Sequence, residues 1–191
     1  MDDTISDLLE GAARRAVPVV AAVPDDRLDA PTPCADYRVR ELLDHLFHVV
    51  VSFQEMAAKR EADFSATPVY LHGDWRARFP RETGALVRAW AQPGAEEGTA
   101  GSMGLPARTL GAMVLLDLTV HPWDLARAAG LDYTAGTAGL GELEDLVAQM
   151  GPTARSMGAF GEPVPVPDDA GRFERLLGAV GRDPQWAPPA R

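Results

Sequence analysis

The chain has 191 residues, the length of one domain or of one domain with a short appendage, which excludes an array of modules. Hydrophobic residues make up 46% and charged residues 24%, enough for a packed core and too balanced for wholesale disorder. Eighteen Lys and Arg against 28 Asp and Glu give a formal charge of −10, so a polyanion is repelled on average and nucleic acid is not an expected partner.

The first residues are acidic where a signal peptide is positive, and no apolar run approaches the roughly 18 residues of a membrane span. A single cysteine, Cys34, cannot form an internal disulfide and suits a reducing compartment. The expectation is a cytoplasmic protein without a membrane partner.

Apolar residues at helical spacing from Ile5 to Val20 predict a first helix over about 4–23, bent or split by Pro18. A proline- and aspartate-rich connection follows, in which Asp36 is placed to cap a second helix over about 38–60. Residues 61–73 read as loop. A third helix is expected over 74–92, interrupted by Pro80, and residues 94–104 as a long loop or loose hairpin. The strongest helical pattern starts near Pro106 and runs to Ala129, with Gly130 as its stop. A fifth helix over 139–150 precedes an extended run with Pro163, Pro165 and Pro167, then a short amphipathic helix over 171–180. These elements predict an all-α helical bundle with extended decoration: one domain over 1–191, its bundle at about 4–150 and the decoration at about 151–191.

On a helical wheel of about 100° per residue, Asp117 and His121 lie one turn apart on the apolar side formed by Leu110, Val114, Leu118, Leu125 and Ala128. A carboxylate there demands a partner. Two readings are open at this point: a buried pair with protonated His121, or a cation bound by both. On the second helix, His45 flanks the stripe Val39, Leu42, Leu46, Val50, Phe53, about 90° from its middle, where it can reach a groove between helices. A core-edge histidine bonded to a backbone carbonyl is the plainer alternative. His48 falls about 150° away and reads as a surface residue.

His45, Asp117 and His121 together form an N, O, N donor set of the kind that holds a divalent metal with coordination positions left open. Cys34 is the one cysteine that could close such a site, in a loop before His45. Pro122 follows His121 directly and predicts a kink. Asp124 reads either as half of an exposed ion pair with Arg127 or as the group that orients His121 from behind.

The stretch Leu28-Asp29-Ala30-Pro31-Thr32-Pro33-Cys34-Ala35-Asp36-Tyr37-Arg38-Val39-Arg40-Glu41-Leu42-Leu43-Asp44-His45-Leu46 resembles the approach to the second helix in the DinB/YfiT-like superfamily. Asp117-Leu118-Thr119-Val120-His121-Pro122-Trp123-Asp124-Leu125-Ala126-Arg127-Ala128 is similar to the second ligand motif of its metal-binding branch, related to the N-terminal domain of mycothiol-dependent maleylpyruvate isomerase. The runs from Phe160 to Pro167 and from Arg175 to Pro184 resemble that branch's tail. The resemblance implies a four-helix bundle with a long crossover between the second and third helices and a metal on His45, Asp117 and His121. Tyr37 stands where the family usually has Trp, Pro122 replaces a residue less disruptive to a helix, and Asp117 is a carboxylate where many DinB proteins have a third histidine.

The functional expectation is a metal-dependent enzyme of the thiol S-transferase or thiol-dependent isomerase type. The metal, zinc first with nickel or iron as alternatives, would activate a thiol such as mycothiol, or water, against a small electrophile. A separate C-terminal domain of the size in the full isomerase is not expected, and that enzyme's substrate is not carried over. The alternatives are a non-catalytic metal-binding domain and a member recruited to metal-assisted chemistry in a biosynthetic pathway. A small-molecule substrate is expected, on a monomer or homodimer.

Overall fold

The computed structural model describes residues 3–102 and 104–189. Four long helices form the bundle: α1 (Ile5–Ala22), α2 (Val39–Ala57), α3 (Trp75–Trp90) and α4 (Ala107–Ala129). α1 and α2 each pack against both α3 and α4, so the helices are ordered α1, α3, α2, α4 around the bundle. Two smaller elements precede α4, the strands β1 (Thr99–Ala100) and β2 (Leu105–Pro106), which pair antiparallel as a loose hairpin. After α4 come α5 (Leu140–Ser156), packed on α4, and α6 (Arg172–Ala179), packed on α5. The expected all-α architecture holds, and no described helix is long and apolar enough to cross a membrane.

Local chemistry accounts for most helix ends. The Thr4 hydroxyl accepts the Asp7 N–H at 3.2 Å and the Asp7 carboxylate accepts the Thr4 N–H at 3.3 Å, a reciprocal cap on α1. Asp74 caps α3 by accepting the Ala77 N–H at 3.1 Å. Asp36, expected to cap α2, stands too early. The loop stays bridged as far as Arg38, which pairs with Pro31, and Glu41 accepts the Arg38 N–H at 2.8 Å. α2 also ends at Ala57 rather than Arg60. Lys59 takes a left-handed φ of 59°, and the N–H groups of Lys59 and Arg60 turn back to the Met56 and Glu55 carbonyls. The Lys59 ammonium holds that turn by donating to the carbonyls of Ala95 (2.8 Å) and Glu97 (2.6 Å).

The prolines break less than their positions suggest. α1 runs unsplit through Pro18, α3 through Pro80, and α5 continues through Pro152 to Ser156, beyond the expected stop at Met150. Each of the three is exposed, so the carbonyl one turn back, robbed of its donor, lies on the wet side of the helix. Pro122 is different: it is buried, and α4 runs unbroken past it.

The core fills the space between the four helices with Leu9, Leu42, Leu43, Leu46, Phe47, Phe79, Leu86, Trp90, Leu115, Leu118 and Leu125. α4 is buried on nearly every face. α1 and α4 approach closely at Gly111, where a Cβ would lie 2.7 Å from Ile5 Cγ2. The crossover from α2 to α3 is an irregular strap over residues 58–74, pinned where Asp44 of α2 accepts the N–H groups of Tyr70 (2.5 Å) and Leu71 (3.1 Å).

Candidate metal centre

The seam between α2 and α4 brings His45, Asp117 and His121 together. One donor atom from each lies within 4.8 Å of the other two. His121 Nε2 is 3.3 Å from Asp117 Oδ1, and the His45 and His121 rings meet edge to face with centroids 5.1 Å apart. Two donors at zinc distances of 2.0–2.1 Å in a tetrahedron are separated by about 3.3 Å, so the Asp117–His121 pair already stands at the edge length such an ion requires. The His121 side chain is 7% exposed and that of Asp117 26%, which leaves the cluster open to solvent on its Asp117 side.

Each ring is held from behind. His121 Nδ1 lies 3.0 Å from Asp124 Oδ2, which assigns the Nδ1 proton to that bond and turns the Nε2 lone pair toward Asp117 and His45. Asp124 is fully buried, so its exposed pairing with Arg127 does not form. Arg127 instead grips the Trp186 carbonyl, with Nε at 3.0 Å, and ties the tail to α4. The ring of Tyr37 stacks on His45, centroids 5.2 Å apart and planes at 22°.

The loop before α2 is built to deliver that tyrosine. The Thr32 hydroxyl stands within donating distance of the carbonyls of Cys34 (2.9 Å) and Tyr37 (2.8 Å), while the Val39 and Arg40 N–H groups bond back to Ala30 and Leu28. Cys34 is buried in this loop and is not a member of the donor cluster. Burial pushes its thiol up to about 11, with the Asp124 and Asp36 charges adding to the shift and Arg182 opposing it. It is a packing residue rather than a nucleophile.

The electrostatics suit cation binding. Burial, reinforced by the neighbouring His121, pulls the His45 imidazole down to about 4, so it is an unprotonated donor at neutral pH. Burial alone would raise Asp117, but the His121 hydrogen bond and the nearby positive charges overcome it and hold the carboxyl below its ordinary value. For His121 burial opposes the charge, and the hydrogen bonds to Asp117 and Asp124 win, raising it. A proton and a metal ion would compete for the same Nε2 lone pair of His121.

His48, expected at the surface, is 6% exposed. Helical periodicity registers only neighbouring helices, whereas the cover here is the irregular crossover: Phe64 and Tyr70 lie against the ring, and the Tyr70 hydroxyl is 3.3 Å from Nδ1. It is not part of the donor cluster. In the sequence Arg182 stands out only as part of the run from Arg175 to Pro184 that resembles the family's tail, with no role assigned to it, yet it is buried 3.5 Å from Asp124. An arginine directly after the glycine that ends a short helix is a second signal that could have flagged it.

A helical bundle with a long crossover and two histidines and a carboxylate shared between α2 and α4 is the DinB-like arrangement. The chain belongs to the family of the mycothiol maleylpyruvate isomerase N-terminal domain, whose model matches residues 9–126. It is 28% identical over 174 residues to an uncharacterized protein of Mycobacterium tuberculosis strain H37Rv, covering 86% of this chain and 90% of that one, and equally to its counterpart in strain CDC 1551. No solved structure matches.

Proposed function

We propose that the chain is a divalent-metal-dependent enzyme in which His45, Asp117 and His121 hold the ion and a low-molecular-weight thiol of the mycothiol type is the co-substrate. The observation that carries this reading is the convergence of three donor atoms, from helices far apart in sequence, within 4.8 Å. The donor set fits the ion: two imidazoles and one carboxylate suit zinc, with nickel or iron as alternatives.

A divalent ion bound there supplies a positive charge that lowers the pKa of a thiol or water at an open position. The chain's own residues set the charge around it. Asp117 and Asp124 carry two negative charges and Arg182 one positive charge, with both imidazoles neutral as donors. The protein side therefore totals one negative, a divalent ion makes it one positive, and a single anionic sulfur would neutralise it. Tyr37 and Asp124 hold the two rings in place, and the more exposed Asp117 side is the approach for substrate. The family supports a thiol over water, since its model is named for a mycothiol-dependent reaction.

Elemental analysis of untagged protein is expected to find close to one divalent metal per chain. A thiol-dependent reaction with a small electrophile should disappear in His121→Ala while the variant stays folded. If His45→Ala and His121→Ala lose metal and fold together, and no thiol chemistry is detected with the wild type, the ion is a clamp between α2 and α4. Metal content near zero that added zinc, nickel and iron all fail to raise would end the proposal.

A further inference from the structure

The tail lies beyond residues 9–126, which the family model matches, yet it returns to α4 beside the donor cluster. α6 closes in a Schellman turn, with the Gly181 N–H donating to the Gly178 carbonyl (3.1 Å) and the Arg182 N–H to the Leu177 carbonyl (2.8 Å). Gly181 takes φ +82°, and a Cβ on it would lie 2.6 Å from Gly161 Cα, so the turn is left-handed and pressed against the backbone that leads into the tail. This turn carries Arg182 into the interior, where its Nη1 donates to the Val180 carbonyl at 2.8 Å.

Two buried atoms at this junction lack a hydrogen-bond partner, Asp124 Oδ1 and Arg182 Nε. One is an acceptor and the other a donor. Their residues are already in contact through the neighbouring atoms, Arg182 Nη2 and Asp124 Oδ2, at 3.5 Å. A guanidinium meets a carboxylate side-on through this combination of atoms, Nε with one oxygen and Nη2 with the other. Closing the contact by about 0.7 Å would bring it to charge-assisted hydrogen-bond length and let the orphaned pair meet as well.

We propose that Arg182 is a positioning residue for the metal centre: it clamps Asp124 side-on, and Asp124 so fixed holds the His121 ring with Nε2 facing Asp117 and His45. The inference rests on the metal reading above. Among the described residues, Arg182 is the sole arginine or lysine paired with Asp124. Without it the carboxylate keeps one partner, His121 Nδ1, and both side chains are free to turn together. The C-terminal turn is then a working part of the site rather than decoration.

The test is Zn²⁺ affinity of the full chain, by competition with a chromophoric chelator, together with the visible spectrum of the Co²⁺ form. Arg182→Met and Asp124→Asn are each expected to weaken Zn²⁺ binding ten- to a hundredfold and to alter the Co²⁺ bands. The double variant should be no weaker than the weaker single one, because both changes break one chain of contacts. Unchanged affinity in Arg182→Met, or losses that multiply in the double variant, would overturn the proposal. Should Arg182→Met fail to fold, Arg182→Lys keeps the buried charge but lacks the side-on pair of donors. A drop of fivefold or more then supports the clamp, and wild-type affinity refutes it. Absence of metal binding by the wild-type chain overturns the metal reading and this inference together, a result distinct from tight wild-type binding that Arg182→Met leaves untouched.

Discussion

The Tyr37 ring lies nearly parallel to the His45 ring, 5.2 Å away, so the loop before α2 fixes the orientation of a side chain that projects from the helix's second turn. The stacking face is what matters, not the hydroxyl. Tyr37→Phe is expected to bind Zn²⁺ within about twofold of wild type. Tyr37→Ala should lose on the order of tenfold, the upper range of what one aromatic pair contributes. Isothermal titration of the three proteins would decide it, and equal affinities for Tyr37→Ala and wild type would remove Tyr37 from the site.

The metal-free chain should lose stability in mild acid because of His45. Its imidazole titrates near 6.5 when unfolded and about 4 when folded, so between those values the unfolded chain binds more protons and stability drops as the pH is lowered. This one group is worth about 2 kcal/mol between pH 7 and pH 5. His121 acts with the opposite sign: its raised value adds stability that is fully present below 6.5 and is lost as pH rises through the folded value. Urea titrations of chelator-treated protein at pH 5 and pH 7 should show a smaller acid loss in His45→Gln than in wild type.

Cys34 should resist thiol reagents in the native state. With its thiol pushed up to about 11 and its side chain buried, native labelling at pH 8 is expected to run on the order of a hundredfold slower than in urea. Rapid native labelling would show that the loop before α2 opens readily.

Gly111 marks a close approach of α1 and α4. A methyl group there would sit 2.7 Å from Ile5 Cγ2 and 2.9 Å from Cγ1, so Gly111→Ala should destabilise by about 1–3 kcal/mol. Ile5→Ala removes both of those atoms and is expected to recover part of the loss, giving a non-additive cycle in urea unfolding. Additive losses would mean that the helices move apart instead.

The core stripes of α2 and α4, the four bundle helices and the three clustered side chains were legible because helical periodicity records which residues face other helices. His48 was not, because its cover comes from an aperiodic strap. Asp124 was legible only as one of two readings, since burial on the far side of α4 depends on a tail more than fifty residues later. The end of α2 at Ala57 escaped because Lys59, not glycine, takes the left-handed turn there. The continuity of α5 escaped because Pro152 stands on the exposed side of the helix, where water can serve the carbonyl behind it.

Asp44, which holds the crossover by two backbone amides, is the immediate neighbour of His45 on α2. Across homologous chains, insertions and deletions should therefore gather before Tyr70, between about 61 and 69, where lengthening the strap leaves its anchorage alone. The short span from Tyr70 to the start of α3 should keep a constant length, because one residue added there would tug on the helical turn that carries a proposed ligand.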